Sequence, residues 1–253
     1  MEQPTSLKRQ EVRERPTHKN PIIYQKWRNL LFLHWEYDGK AIQRTLPEGL
    51  QVDTFEGKAY IGIIPFFMKD VRPRFFPTVP GLSDFQELNV RTYVYDPHGI
   101  PGIWFYSLDA NQWLAVQIAR LSFNLPYFYA TVQAEIHSDT KEILYSSHRF
   151  GSDASLKTQF RYRPISSRHP AEPETLEFFL IERYVLFVYS SRRKKLFRAR
   201  VHHVPYPLGE VEVSQSDKNL FTLNGLSKPE GDWNHSLMSP GVDVEIFGLE
   251  AVD

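Results

Sequence analysis

Side chains that can move a proton or hold an anion recur at every second position of one short segment. The polar members of this alternating pattern are Glu87, Asn89, Arg91 and Tyr93. Successive side chains of a β-strand point to opposite faces, so these groups would share one surface while the other surface is apolar. A guanidinium inside a cavity binds a carboxylate through paired hydrogen bonds, and a carboxyl group beside it can transfer a proton. The segment predicts either a polar cavity wall or a solvated sheet face with an ordinary Glu–Arg pair, and periodicity alone favours the solvated face.

Two more polar clusters stand between apolar runs. They are Glu182-Arg183-Tyr184 and, further along the chain, the group Arg200, His202, His203 and Tyr206. Polar groups at strand ends are a common but weak sign of a functional site. The adjacent residues His202 and His203 would face opposite sides of a strand, so their spacing argues against a shared metal ion. The dinucleotide, phosphate-loop, serine-hydrolase and zinc-protease motifs are missing from the sequence, and neither a metal site nor a cofactor is expected.

The overall composition excludes several classes of protein. The 253 residues carry 30 Lys and Arg against 30 Asp and Glu, so there is no general positive field for a nucleic acid or an acidic membrane. Cysteine is absent, which excludes disulfides, a thiol nucleophile and a thiolate zinc site. No apolar run approaches the roughly 18–20 residues of a membrane-spanning helix. These observations predict a cytoplasmic protein that binds neither nucleic acid nor membrane.

Two units are predicted along the chain. Residues 1–20 are polar, lack a signal-peptide pattern and are predicted to form a flexible tail, whereas residues 21–253 form a single domain without an internal linker. The basic run 192–195 is predicted to be a solvated turn, and nucleic-acid binding by this turn and the tail is the minor alternative. A charge-neutral surface would not oppose self-association, so a homodimer is compatible with the sequence.

The order of elements favours an α+β fold that is mainly antiparallel β. Residues 87–95 and 103–108, joined by a turn, predict a hairpin. The irregular stretch 72–83 is either a functional loop or a wall segment packed by Phe75 and Phe76.

One helix is predicted clearly. Asp109 and Gln112 form a variant of the capping box, which places the helix start just before Trp113. An apolar stripe follows at helical spacing, formed by Leu114, Ile118 and Leu121.

Several motifs between residues 27 and 245 are specific enough to compare with known families. They are Glu87-Leu-Asn-Val-Arg-Thr-Tyr-Val94, Gly102-Ile-Trp-Phe-Tyr-Ser-Leu-Asp-Ala110, Ala119-Arg120, Leu125-Pro-Tyr127, Glu182-Arg-Tyr184, His203-Val-Pro-Tyr-Pro-Leu208 and Ser239-Pro-Gly-Val-Asp-Val-Glu245. Together they resemble the YqjF-like family of uncharacterised bacterial proteins. That family in turn resembles acetoacetate decarboxylase in fold. The resemblance implies an acetoacetate-decarboxylase-like β-barrel with one or two short helices and an internal pocket.

This sequence differs from the decarboxylase at the position of the catalytic nucleophile. In that enzyme a lysine forms a Schiff base with a β-keto acid, within a motif that ends in Lys-Lys. Here Arg120 and Pro126 stand where the motif has its arginine and proline, but Tyr127 and Phe128 replace the two lysines. A tyrosine cannot form an imine, so the resemblance implies a retained pocket without the Schiff-base reaction.

Two functions fit these residues. The first is a small-molecule-binding protein with an internal polar pocket, acting on a small carboxylate or oxo compound without covalent lysine chemistry. Its catalytic candidates are Glu87 and Tyr127. Its ligand-binding candidates are Arg91, Tyr93, Arg120 and His203. The second is a non-catalytic binding or scaffold protein of the same fold, in which the polar pocket only supports the structure.

Overall fold

A computed structural model describes residues 2–252 of the protein. Thirteen strands form one hydrogen-bonded sheet over these residues. The strands are β1 (Ile23–Tyr37), β2 (Gln51–Val52), β3 (Ala59–Pro73), β4 (Phe85–Tyr95), β5 (Pro101–Ala110), β6 (Tyr127–Ile136), β7 (Ile143–Arg149), β8 (Thr158–Pro164), β9 (Val185–Ser190), β10 (Lys195–His202), β11 (Val211–Ser216), β12 (His235–Ile246) and β13 (Glu250–Ala251). The predicted fold class, α+β with mainly antiparallel strands, is confirmed.

Helices are short but more numerous than the one or two that the sequence predicts. Over residues 2–252 the α-helices are α1 (Ser6–Glu11), α2 (Gly39–Gln43), α3 (Trp113–Phe123), α4 (Leu176–Ile181) and α5 (Asn219–Leu223), with one 3₁₀ turn at Ala154–Leu156. None of the helices in this described part of the chain has the length and apolar character needed to cross a membrane.

Pairing between distant strands closes part of the sheet into a ring. The ring follows the order β4–β5–β9–β10–β12–β1–β3 and returns to β4 through hydrogen-bonded neighbours. Every pair in it is antiparallel except β5 with β9. Strands β6, β7, β8 and β11 extend from β5 as a wing. The main apolar core contains side chains from the ring strands and α4, whereas a second core lies between the ring and the wing.

Strand β4 is buried on both faces because the wing covers the outside of the ring. Leu88 and Val90 belong to the core beneath the wing, which confirms the predicted apolar face of this strand. The opposite face carries three polar residues with only 3 %, 5 % and 7 % of their surface exposed: Glu87, Asn89 and Arg91. The prediction that this polar face is solvated, which periodicity alone favoured, is therefore wrong. The predicted hairpin is confirmed, since β4 and β5 pair antiparallel.

Helix α3 forms where the sequence predicts it, but with a different cap and a different buried face. The N-cap is Gln112, whose side chain accepts a hydrogen bond from the Leu114 amide at 3.0 Å. Asp109 caps nothing because it is buried in β5, where it pairs with Arg149 at 2.7 Å. Val116 is buried beneath the helix. The predicted apolar stripe is instead 41 %, 52 % and 84 % exposed at Leu114, Ile118 and Leu121.

The connection from β3 to β4 also presents apolar side chains to solvent. Phe75 and Phe76 are 84 % and 64 % exposed, so of the two alternatives for this segment, the wall packed by its phenylalanines is wrong. The connection is joined to helix α3 by a hydrogen bond of 2.6 Å from the Gln112 side chain to the Gly81 carbonyl. These two elements therefore form neighbouring sides of one surface.

The N-terminal segment makes contacts that a free tail would lack. The sequence predicts a flexible tail over residues 1–20, of which residue 1 lies outside the described part. In the structure Arg9 donates to the buried carboxylate of Asp53 at 2.6 Å, and Arg200 donates to the Val12 carbonyl at 2.7 Å. Val12 is only 5 % exposed. The basic side chains of this segment thus find acceptors in the domain that alternation and composition do not reveal.

Candidate functional site

A cavity of about 350 Å³ lies inside the ring, against strand β4 and helix α3. Its walls are mostly apolar and come from ring strands, from α3 and from the connection between β3 and β4. The lining residues that are well exposed mark the mouth of the cavity: Phe76, Val79, Leu82, Leu114 and Ile118. The mouth therefore lies between α3 and the connection.

Strand β4 supplies a row of side chains that leads inward from this mouth. The residues at alternate positions that line the cavity are Phe85, Glu87, Asn89 and Arg91. A strand rises about 3.3 Å per residue, so the α-carbons of Glu87 and Arg91 are about 13 Å apart. The first lies toward the mouth and the second at the inner end. They share a cavity without forming an ion pair.

Glu87 is a buried carboxyl group with its own set of partners. The Tyr127 hydroxyl donates to it at 2.6 Å, and the Asn89 amide lies 3.5 Å away. Burial raises the pKa of Glu87 to about 7, the Asp109 charge adds to the rise, and the two hydrogen bonds oppose it. Glu87 therefore exchanges its proton near neutral pH, as a general acid or base requires. Tyr127 remains a hydroxyl donor there, because burial raises its pKa well above the usual value.

The raised pKa of Glu87 predicts that stability falls as the pH rises from about 4.5 to about 7. Between these values Glu87 keeps its proton in the folded protein and has lost it in the unfolded chain, so the unfolded state is favoured increasingly. The full shift corresponds to roughly 3 kcal/mol of unfolding free energy. Glu87→Gln cannot ionise and should lack this loss. Denaturant titrations at about pH 4, 6 and 8 measure the difference.

The control for this prediction is Glu212→Gln. Glu212 pairs with Arg163 at the surface, where its side chain is 50 % exposed, and its substitution should leave the pH dependence as in the wild type. A Glu87→Gln profile that runs parallel to the wild type between about pH 4 and 8 would contradict the assignment.

Arg91 is a buried cation without a buried anion beside it. Its Nε donates to the Tyr93 hydroxyl at 3.3 Å, and its Nη2 donates to the Leu180 carbonyl at 3.2 Å. Within residues 2–252 no carboxylate lies within 4.0 Å of its guanidinium. A buried charge without a counter-charge is unfavourable, so this group is suited to receive an anion from solution.

A chain of hydrogen bonds behind Arg91 holds its orientation. The Tyr93 hydroxyl lies 2.6 Å from the Nε2 atom of His34, and the Nδ1 atoms of His34 and His235 are 3.0 Å apart. The hydroxyl accepts from Arg91, and the tautomers in which it donates to His34 and His34 donates to His235 give each contact one donor. Burial lowers the pKa of both histidines, and the pKa of His235 falls to about 4, so the chain is neutral at physiological pH. Tyr93 thus positions Arg91 from behind the cavity wall.

A second arginine reaches the cavity near Arg91. Arg183 lines the cavity, donates to Asp53 at 2.9 Å and leaves its buried Nη2 atom without a partner in the described chain. The guanidinium carbons of Arg91 and Arg183 lie 5.7 and 5.0 Å from the centre of the Tyr93 ring. Burial lowers the pKa of Arg183 to about 10, so it remains a cation at neutral pH. The inner end of the cavity therefore carries excess positive charge.

Three of the six predicted site residues line the cavity, and the other three do not. Glu87, Arg91 and Tyr127 line the cavity together. Tyr93 is fully buried behind Arg91 and does not line it.

Two of the predicted residues lie away from the cavity. Arg120 is on the exposed side of α3, with its guanidinium 5.6 Å from the centre of the Phe128 ring, because the helix turns this position outward. His203 is 3 % exposed and is packed between Tyr184 and Tyr206, whose ring centres are each 4.5 Å from its own. Burial lowers the pKa of His203 to about 4, so it is a neutral packing group at physiological pH.

Sequence reasoning missed two residues that shape the site. Arg183 was visible only as part of a polar cluster between apolar runs, and nothing local pointed it toward Arg91. Asp53 has no signal in its own segment, although it is fully buried and holds both Arg9 and Arg183.

The donor set of the site suits an organic anion better than a metal ion. Over residues 2–252 no group of three or more His, Asp or Glu residues is placed to hold a metal. The residues that line the cavity in this part of the chain include no lysine.

Comparisons with known proteins agree on family and fold. The model of the family DUF2071, described as an uncharacterized conserved protein, matches residues 24–243. The chain is 40% identical over 211 residues to the uncharacterized protein YqjF of Bacillus subtilis (strain 168), covering 83% of this chain and 85% of YqjF.

Two solved structures are similar in fold at low identity. The enduracididine biosynthesis enzyme MppR complexed with pyruvate has a TM-score of 0.62 at 13% identity, over 92% of this chain and 91% of that one. Acetoacetate decarboxylase from Legionella pneumophila has a TM-score of 0.61 at 12% identity, over 93% and 88% of the two chains. At these identities the likeness shows the fold alone, and it confirms the acetoacetate-decarboxylase-like architecture.

Proposed function

This chain belongs to the DUF2071 family, and we propose that it binds a small organic molecule with a carboxylate or oxo group inside the ring of strands. The observation that carries this proposal is the buried guanidinium of Arg91, which faces the cavity with no carboxylate partner in the described residues. An anionic ligand would supply the missing counter-charge through paired hydrogen bonds. Arg183 also lines the cavity and adds a second positive charge at this end.

The proposed chemistry is proton transfer by Glu87, with Tyr127 as a hydrogen-bond donor. A carboxyl group with a pKa of about 7 can take a proton from a ligand carbon or oxygen and return it at physiological pH. Once Glu87 has taken a proton, the Tyr127 hydroxyl would turn from the carboxyl group and donate its hydrogen bond to a developing negative charge on a ligand oxygen. The solved relative MppR is described in complex with pyruvate, an oxo acid, which supports this class of ligand.

Covalent lysine chemistry is not part of the proposal. Tyr127 and Phe128 occupy the positions of the two lysines in the decarboxylase motif, and a phenol forms no imine. The enzyme that this hypothesis describes is therefore a lyase, isomerase or hydrolase that works by proton transfer. The alternative is a non-catalytic binding or scaffold protein of the same fold, in which the polar pocket only supports the structure.

A thermal-shift panel of small carboxylates and oxo acids tests the proposal. A ligand should raise the melting temperature of the wild type, and the increase should be smaller in Glu87→Gln if Glu87 contacts it. If no compound in the panel raises the melting temperature, the proposed ligand class is overturned and the scaffold hypothesis is favoured. A hit with the same increase in Glu87→Gln would support binding while removing Glu87 from the site.

Self-association, cytoplasmic location and the absence of nucleic-acid binding stay predictions from the sequence. Equilibrium sedimentation decides whether the chain forms a homodimer in solution. Retention on nucleic acid that weakens with salt would contradict the reading of the 192–195 run as a solvated turn.

A further inference from the structure

The distance between the two polar ends of the cavity sets a minimum length for its ligand. Arg91 directs its guanidinium toward Tyr93 and Leu180, away from Glu87, whose α-carbon is about 13 Å away along β4. An acid of two or three carbons held by Arg91 would not reach Glu87. A molecule that contacts both groups must extend several bonds beyond its carboxylate.

The wall between these two ends is suited to hydrocarbon. Ring strands contribute aliphatic and aromatic side chains on every side, among them Leu30, Ile64, Phe66, Ile103, Phe105 and Leu108. The polar side chains along this wall are few, and Asn89 is the one between Glu87 and Arg91 on β4. Liquid water occupies about 30 Å³ per molecule, so a cavity of about 350 Å³ holds on the order of ten groups of that size. A three-carbon acid would leave most of this space without contacts.

The apolar wall continues outward through the mouth. Phe76 and Leu82 on one side, with Leu114 and Ile118 on the other, line the cavity and are 39 % to 64 % exposed. Large apolar side chains that remain in water beside a cavity mark a binding surface. Arg72, at the end of β3, also lines the cavity, but the other mouth residues are apolar. Buried cationic groups at the inner end and a mainly apolar mouth match a molecule with one anionic end and one hydrocarbon end.

We propose that the ligand is a carboxylate with a linear hydrocarbon chain of on the order of ten carbons, held by Arg91 and Arg183 with its tail at the mouth. The inference rests on the proposed function and deepens it by giving the ligand a length and a polarity. Glu87 and Tyr127 then lie beside the distal part of the chain, where an oxygen substituent on that chain would meet them. The carboxylate serves as an anchor and the hydrocarbon supplies most of the affinity.

A chain-length series tests this ligand class. Each buried CH₂ group is expected to tighten binding about fourfold, so octanoate, with four more CH₂ groups, should bind about 200-fold more tightly than butanoate. Calorimetric titration of the full chain with acetate, butanoate, hexanoate, octanoate and decanoate, below the concentrations at which they self-associate, measures this slope. Decanol, which keeps the tail and lacks the carboxylate, should bind at least about 30-fold more weakly than decanoate.

Two substitutions on the same helix localise the tail. Ile118→Glu places a charge at the mouth, where only the end of the longest chain lies, and should remove most of the gain between octanoate and decanoate. Leu121→Glu is the matched control, because Leu121 is 84 % exposed on α3 and does not line the cavity, so the slope should persist. Equal loss in both variants would contradict a tail at the mouth.

The outcomes separate this inference from the proposed function. Short acids that bind as tightly as long ones would overturn the hydrocarbon chain and leave the carboxylate site intact. Binding of decanol as tight as decanoate would overturn the anchoring role of the arginines. No binding of any acid would overturn the proposed function together with this inference.

Discussion

Arg91→Met is expected to weaken the binding of a carboxylate ligand by about 30-fold or more, because loss of one partner of a buried charge pair costs at least about 2 kcal/mol. Methionine keeps most of the length and apolar contact of the arginine but removes its charge and its donors. The unliganded variant should remain folded, since the substitution removes a buried charge that has no carboxylate partner in the described chain. Calorimetric titration of wild type and variant with the same acid measures the change in dissociation constant.

The control for this prediction is Arg163→Met. Arg163 pairs with Glu212 at the surface, where its side chain is 45 % exposed, so its removal should leave ligand binding unchanged. An Arg91→Met protein that is folded, as judged by its melting curve, and binds carboxylates as the wild type does would remove Arg91 from the site. Tyr93→Phe should have a smaller effect in the same direction, because it loosens the guanidinium without removing it.

Asp53→Asn is expected to lower the free energy of unfolding by about 3–5 kcal/mol, the usual cost of breaking a buried ion pair from one side. Asp53 is fully buried and accepts hydrogen bonds from Arg9 and Arg183. Burial by itself would raise the pKa of Asp53, but the charges and hydrogen bonds of these two arginines outweigh burial and lower the pKa. Asparagine keeps the shape and removes the only counter-charge that Arg183 has among the described residues. Denaturant unfolding near neutral pH measures the loss.

Asp243→Asn is the matched control. Asp243 pairs with Arg28 at the surface with 70 % of its side chain exposed, so the same substitution should change the unfolding free energy by about 1 kcal/mol or less. Similar effects of the two substitutions would mean that the Asp53 cluster does not stabilise the fold as a buried pair. Because Arg9 is on the N-terminal segment, truncation of residues 2–15 should reproduce part of the Asp53→Asn loss.

The chain from Arg91 through Tyr93 and His34 to His235 gives the site a rigid support. Each member is buried and contacts the next, so the guanidinium is held without a charged partner behind it. A positive group that is oriented in advance loses little conformational entropy when a ligand binds. Leaving Arg91 without an anionic partner lowers the stability of the unliganded protein, and a bound carboxylate would supply that partner. Functional sites usually depart in this way from the rules of a stable core.

Local patterns in the sequence determined those features of this protein that depend only on residues close together in the chain, such as the two faces of β4 and the turn that follows it. The period of two in residues 87–95 placed Glu87, Asn89 and Arg91 on one face, because alternate side chains of a strand always share a side. The turn after residue 95 joined β4 to β5, since the Asp96 carboxylate accepts hydrogen bonds from the His98 and Ile100 amides at 2.9 Å. The family motifs also led to the prediction that Tyr127 stands at the position of the decarboxylase lysine.

Only the tertiary structure decided which of these faces became an interior. Alternation gives a strand two faces but not their surroundings, and the wing of β6, β7, β8 and β11 buries the face that would otherwise meet water. Closure of the ring through β5 and β9 brings residues that are far apart in the chain into contact. Arg183 bonds to Asp53 over a sequence separation of 130 residues, and Arg9 bonds to it over a separation of 44. The same closure leaves Leu114 and Ile118, two members of the apolar stripe of α3, at the mouth of the cavity rather than in the core. Such contacts depend on which strands pair over long separations, and no period in the sequence encodes that choice.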